Sequence, residues 1–283
     1  MTPEEFLKQL EIELKIVKYS NHTLRNYLRI NRDLLDLVKK QPEDITQQDV
    51  KLFMAERLTN NSSSATLQAL ASIRFAYSNI LKKDPTFDIR RPKKEKKIPT
   101  VLTIDEVFQL INAAKTRKSK LMLNLLYATG MRVSELSNLK KQDLYYDEGI
   151  GTIRQAKGKK DRQFRIPENL KGELMDFCAS NDNEYVFSGK KGKLSTRNIY
   201  NIVNLTAKRA GIKKSVHPHT LRHSYGTHSL EKGVDLRTIQ IFLGHERLDT
   251  TELYLTISSE RLKKTKSIYD IITEERKSET NHT

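Results

Sequence analysis

The chain has 283 residues, enough for one large or two ordinary domains, with 37% hydrophobic and 30% charged residues. No run of about 18 apolar residues exists, which excludes a membrane-spanning segment, and the lone Cys178 excludes a disulfide framework within the chain. A formal charge of +16 draws polyanions, nucleic acid first among them, although a merely basic protein would carry the same number. The excess is uneven, about +3 before Lys93 and about +13 after it. Residues 1–10 alternate acids with Phe6 and Leu7 and lack the basic flank and apolar stretch of a leader, so the expected setting is cytoplasmic and reducing.

Leu7, Leu10, Leu14 and Val17 recur at helical spacing and predict a first helix. A second is predicted by Leu24, Tyr27, Leu28, Leu34, Leu35 and Val38, with Asn21 or Thr23 as its cap and Pro42 beyond its end. Thr46 and Asp49 form a Thr-x-x-Asp box that opens a third helix. The polar loop 60–64 separates it from a fourth, built on Leu67, Leu70, Ile73, Phe75 and Tyr77. Together they predict a small all-α domain over 1–89. Residues 90–99 read Arg-Arg-Pro-Lys-Lys-Glu-Lys-Lys-Ile-Pro, which two prolines and repelling charges keep extended as a linker. Its cations, Lys93 and Lys94 among them, suit either a solvated spacer or the tracking of a phosphate backbone.

A second domain, 100–283, opens with Thr103-Ile104-Asp105-Glu106, which caps a helix running to Ala113 or Ala114. Another helix holds Leu121 to Tyr127, Gly130 ends it, and a further one starts near Val133. Then the period changes. Residues 151–155 and 163–166 alternate as strands around the turn Lys157-Gly158-Lys159-Lys160-Asp161. Helices resume near Leu170, Thr196 and Thr220, and after Asp235, Asp249 and Ser259. The predicted class is mainly α with a small antiparallel β-sheet.

Five of the seven histidines fall between His217 and His245, a cluster that suits a metal site, a phosphate site or a histidine core. His219 and His223 stand four apart with no carboxylate between them, and no Cys-x-x-Cys pair exists, so no metal is expected. No Walker-type phosphate loop is present either, and no cofactor is expected. The phosphate reading is better supported. His219 and Arg222 share a face in the first turn of a predicted helix, whose N-terminus favours anions. His245 follows Gly244, the expected C-cap of a helix over Leu236–Leu243, and Tyr254 comes nine residues later. Arginine, histidine and tyrosine together suit covalent attack on a phosphodiester. A free phenol, with a pKa near 10, must lose its proton; arginine forks grip the charge that grows on the non-bridging oxygens; a lysine can protonate the leaving 5′ oxygen.

Taken in order, these residues carry a family resemblance. His219-Thr220-Leu221-Arg222-His223-Ser224-Tyr225-Gly226-Thr227-His228, then Leu243-Gly244-His245, then Thr250-Thr251-Glu252-Leu253-Tyr254, resemble the signature of tyrosine recombinases. Ala128-Thr129-Gly130-Met131-Arg132-Val133-Ser134-Glu135-Leu136 resembles their first arginine motif, and Asn21-His22-Thr23-Leu24 the opening of the second helix of their core-binding domain. The resemblance covers nearly the whole chain and implies the two-domain architecture, a helical core-binding domain followed by a mixed catalytic domain. It implies Tyr254 as the nucleophile forming a 3′-phosphotyrosyl link, Arg132 and Arg222 as the phosphate clamp, and His219 and His245 as proton-handling and phosphate-binding groups. The pattern Lys-Gly-x-Lys-x-Arg selects Lys157 over Lys159 and Lys160 as general acid. Glu135 is expected to orient the Arg132 motif, and His223 to be a buried structural residue.

Among relatives the chain is most similar to compact Xer recombinases, including the single-protein archaeal type, which implies chromosome dimer resolution; a mobile-element role and a non-enzymatic basic regulator are the alternatives. The implied partner is duplex DNA with paired half-sites, bound by a dimer per site and a tetramer in synapsis, with any accessory protein unspecified. Thr23, Arg25, Arg29, Lys93, Lys94, Lys159 and Lys160 are the candidate DNA contacts. Leu262, Ile268, Tyr269 and Ile272 form an apolar stripe on a helix after Ser259, which by resemblance docks on a neighbouring protomer and otherwise folds back on its own domain.

Overall fold

The computed structural model describes residues 1–60, 62–92, 99–154, 161–189, 192–244, 251 and 254. Two compact units result, Met1–Lys97 and Ile98–Thr283.

The first unit is helical: α1 (Pro3–Ile16), α2 (Asn21–Val38), α3 (Gln47–Asn60) and α4 (Ser63–Ile80), with a 3₁₀ turn at Pro42–Asp44. Thr2 and Glu5 cap α1 reciprocally and Pro3 occupies its first position, while Phe6, Leu10 and Leu14 follow on one face and are fully buried. The cap of α2 corrects the expectation. Ser20, not Asn21 or Thr23, holds the extended backbone at the boundary, and its hydroxyl accepts from the Thr23 N–H at 3.2 Å. Asn21 is already helical, so its side chain is one residue too late to cap. The Thr46–Asp49 box forms as expected, each backbone N–H donating to the other's side chain. Phe6, Leu34, Ile73 and Tyr77 meet in the core, with the Phe6 and Tyr77 rings 5.0 Å apart. Its buried amide, Asn31, donates to the Tyr27 carbonyl and the Ser72 hydroxyl, both at 3.0 Å.

The second unit begins with α5 (Ile104–Asn112), capped by the Thr103–Glu106 box, then α6 (Arg117–Thr129) and α7 (Val133–Asn138). Strands β1 (Leu144–Tyr145), β2 (Ile150–Ile153) and β3 (Arg162–Arg165) form an antiparallel sheet in that order, with Ile153 opposite Arg162. The two predicted strands are present, each starting one residue earlier than expected, while β1 is too short to show an alternating pattern. After α8 (Glu168–Ala179) comes a second, unpredicted ladder of β4 (Ser188–Gly189) and β5 (Gly192–Lys193), then α9 (Thr196–Arg209), α10 (Pro218–Glu231) and α11 (Leu236–Leu243). Helix α10 packs against α6, α9 and α11. The class is therefore mainly helical with small antiparallel sheets. Among the described residues no helix is long and apolar enough to cross a membrane. The stripe expected after Ser259 lies outside the described residues.

Candidate active site

The site grows from α10. His217 is its N-cap, with Nδ1 accepting from the Thr220 N–H at 3.3 Å, and Pro218 sets the first helical dihedral. Four residues beyond Pro218, Arg222 is only 3% exposed. A buried guanidinium needs partners, and it finds them at two helix ends. Its Nη1 donates to the Gly130 carbonyl and its Nη2 to the Leu243 carbonyl, each at 2.6 Å. Gly130 and Gly244, in the left-handed region at φ 58° and 61°, are the C-caps of α6 and α11. The last carbonyls of a helix lack intrahelical donors and carry the negative end of its dipole, so each end receives a cation.

Arg132 is the N-cap of α7, where its own N–H donates to Glu135 Oε2 at 2.7 Å. Its Nη1 donates to Glu135 Oε1 at 2.7 Å and its Nη2 to the Gly244 carbonyl at 3.0 Å. The two expected arginines thus grip the same C-terminus of α11, one residue apart. Glu135 holds Arg132 at both its backbone and its fork. Burial would push its carboxyl up, yet Arg162, the Arg132 N–H and Arg132 itself outweigh this and hold it below its ordinary value. Burial, then the neighbouring Arg132, pull Arg222 down to about 10, which still leaves it charged at neutrality.

Tyr254, helical like Thr251, is 1% exposed and packs with Leu230, Ile239 and Leu243. Its ring lies on α10 at Gly226, where an added Cβ would stand 2.5 Å from the Tyr254 Cζ. Burial raises the phenol above its ordinary value, and the charges of Arg222 and then Arg132 oppose that rise. Both guanidiniums therefore act on the phenolic oxygen. His219 is half-buried between the rings of His217 and His223, 6.4 Å from each, and burial followed by Arg222 lowers it. His223 departs from the expectation of a buried structural residue: it is half-buried, and its ring stands 6.1 Å from that of Tyr254. Burial, then His219, pull it down to about 4, so its imidazole is neutral.

The fold brings together Arg132, Glu135, His219, Arg222, His223 and Tyr254 from three segments of the second unit. His245, Lys157, Lys159, Lys160, Lys93 and Lys94 lie outside the described residues. In the first unit Arg25 and Arg29 stand exposed one turn apart on α2, and Thr23 is held by Ser20. Among the described residues no three His, Cys, Asp or Glu side chains gather as a metal-holding group.

Two residues escaped the sequence reading. Arg162 on β3 is 10% exposed and donates from Nη2 to Glu135 Oε2 at 2.7 Å; in the sequence it stands out only as the last letter of the lysine pattern. Gly226 gives the Tyr254 ring its seat. A glycine inside a helix costs roughly 1 kcal/mol relative to alanine, which signals a close approach, although sequence cannot say of what.

Comparison with known proteins gives the same answer from another direction. The phage integrase family matches residues 100–261, and the phage integrase N-terminal SAM-like domain matches residues 6–86. Tyrosine recombinase XerA of Thermococcus kodakarensis is 36% identical over 271 residues, covering 93% of this chain and 94% of that one. A crystal structure of XerA recombinase superposes with a TM-score of 0.55 at 28% identity, over 97% of this chain and 99% of that one. A lambda integrase tetramer bound to a Holliday junction shares the fold, with a TM-score of 0.77 at 19% identity over 90% and 77% of the two chains. With both segments matched and more than a third of its residues shared with a XerA across nearly its whole length, the chain belongs to the phage integrase family, among the Xer-like tyrosine recombinases.

Proposed function

We propose that this recombinase cuts and rejoins duplex DNA at paired half-sites through Tyr254. The phenolic oxygen attacks the scissile phosphorus; the bond to the 5′ oxygen breaks, and a 3′-phosphotyrosyl link replaces it. The phenol proton passes to neutral His219, and Lys157 protonates the leaving 5′ oxygen. Arg132, Arg222 and His245 hold the non-bridging oxygens as negative charge grows there. Attack by a 5′ hydroxyl of the partner duplex reverses the step, so the bond energy is retained.

One observation carries this reading: a buried surplus of positive charge adjoins the tyrosine. Arg132 and Arg222 are fixed on backbone carbonyls before any phosphate arrives, and among the described residues a single carboxylate, Glu135, pairs with Arg132. Such preorganised donors stabilise a transition state at no cost of reorientation. The first unit, with Thr23, Arg25 and Arg29 on α2 and Lys93 and Lys94 in the linker, supplies further phosphate contacts, as do Lys159 and Lys160. A dimer on each site and four protomers in synapsis are in keeping with the lambda integrase dimer on a core site and tetramer on a Holliday junction; docking through the C-terminal helix is part of the same proposal. The similarity to XerA favours chromosome dimer resolution in the cytoplasm over the movement of an element.

The test is a suicide duplex, nicked so that the cleaved end diffuses away, incubated with the protein in EDTA. The wild type gives a detergent-resistant adduct, and Tyr254→Phe gives none while shifting the duplex in a gel as well as before. A wild type without an adduct on any duplex from a genomic fragment library overturns the reading.

A further inference from the structure

Among the described residues that contact Glu135, Arg162 has no assigned task. It opens β3, and its fork reaches two other elements. Nη2 donates to Glu135 Oε2 at 2.7 Å, and Nη1 donates to the Phe242 carbonyl near the end of α11. Its stem lies against Gly244, where an added Cβ would stand 2.7 Å from the Arg162 Cδ. Gly244 is the last described residue before His245, and its carbonyl also accepts from Arg132. Arg162 and Arg132 therefore hold one turn of chain from two sides and divide one carboxylate, Oε1 to Arg132 and Oε2 to Arg162.

The division has an electrostatic consequence. Glu135 is 5% exposed, so water screens it little. Left to one arginine, it would neutralise that arginine. Shared between two, it leaves the pair with one net positive charge, and Arg222 adds another. We propose that Arg162 is a positioning residue of the phosphate cradle: by occupying Glu135 Oε2 and backing Gly244, it keeps Arg132 available to an anion and fixes the turn that leads into His245. This rests on the reading of Tyr254 as nucleophile.

The experiment measures single-turnover adduct formation on the suicide duplex at saturating protein, with affinity measured separately by gel shift. Arg162→Gln is expected to slow adduct formation roughly 10- to 100-fold, the range for loss of an outer partner of an active group, with affinity changed less than about threefold. Adding Glu135→Gln to that variant removes the carboxylate that would neutralise Arg132, while the amide oxygen still accepts from the Arg132 N–H; the rate is expected to rise again by at least about fivefold. A merely structural Arg162 predicts the reverse, since a second lost partner slows the enzyme further. If the glutamine variant does not fold, Arg162→Met, which keeps the stem over Gly244, is read in the same way. Wild-type rates in the single variant, or a double variant no faster than the single, overturn the inference. A wild type without an adduct instead overturns the parent reading, and the two failures are distinct.

Discussion

The two units solve the burial problem differently. Among the described residues, the buried polar side chains of the helical unit are Asn31, Thr66, Ser72 and Thr86, none of them charged. The catalytic unit buries Glu135, Asp143 and Arg222, and leaves Arg132 and Arg162 little exposed. Removing a charge from water costs several kcal/mol unless partners restore the lost solvation. In the helical unit the interior serves stability alone. In the catalytic unit helix-end carbonyls and the Glu135 carboxylate hold buried cations, which the proposed reaction would use to receive a phosphate at some expense of stability.

The sharpest way to break this comparison is at Arg222. Arg222→Ala is expected to slow adduct formation at least ~100-fold, about 3 kcal/mol of transition-state stabilisation, by analogy with loss of one oxyanion donor. An unchanged single-turnover rate would mean that the buried cation is structural. In the other unit, Leu34→Ala is expected to cost roughly 2–5 kcal/mol of local stability, read by hydrogen exchange across α2, with adduct formation at saturating DNA retained. A matching loss of chemistry would show that the division of labour is false.

A smaller effect separates the units by pH. His217, His219, His223 and His228 all lie in the catalytic unit, and burial lowers each of them. Below about pH 6.5 the unfolded chain takes up protons that the folded unit refuses. Stability from this source is therefore full above that pH and declines as pH falls, for His223 down to about 4. Exchange protection in α10 is expected to fall between pH 7.5 and 5.5, after correction for intrinsic exchange rates. In α4, whose unit carries only the exposed His22, it is expected to change less. Equal losses in the two helices would refute the assignment.

Legibility followed the same divide. Leu7, Leu10, Leu14 and the α2 and α4 apolar positions announce their helices because burial is periodic along the chain. The Thr46 and Thr103 boxes are legible because a cap is local. Where Ser20, Asn21 and Thr23 compete, the residue types are nearly equivalent and only the backbone decides. In the site, Arg132, Glu135, His219, Arg222 and Tyr254 were legible through motif and spacing. Their partners were not. Nothing local tells that Arg222 will end two helices, that Glu135 will meet Arg162 27 residues away, or that Gly226 will seat the Tyr254 ring. Long-range pairing of charge with backbone leaves no periodic trace.

The use of helix ends as anchors limits how this unit can vary. Each residue added to a helix advances its end by about 1.5 Å and turns it by about 100°. A single insertion inside α6 or α11 would swing the Gly130 or Leu243 carbonyl away from the Arg222 fork and misdirect the clamp. The lengths of these two helices are thus part of the geometry that holds Arg222 in place.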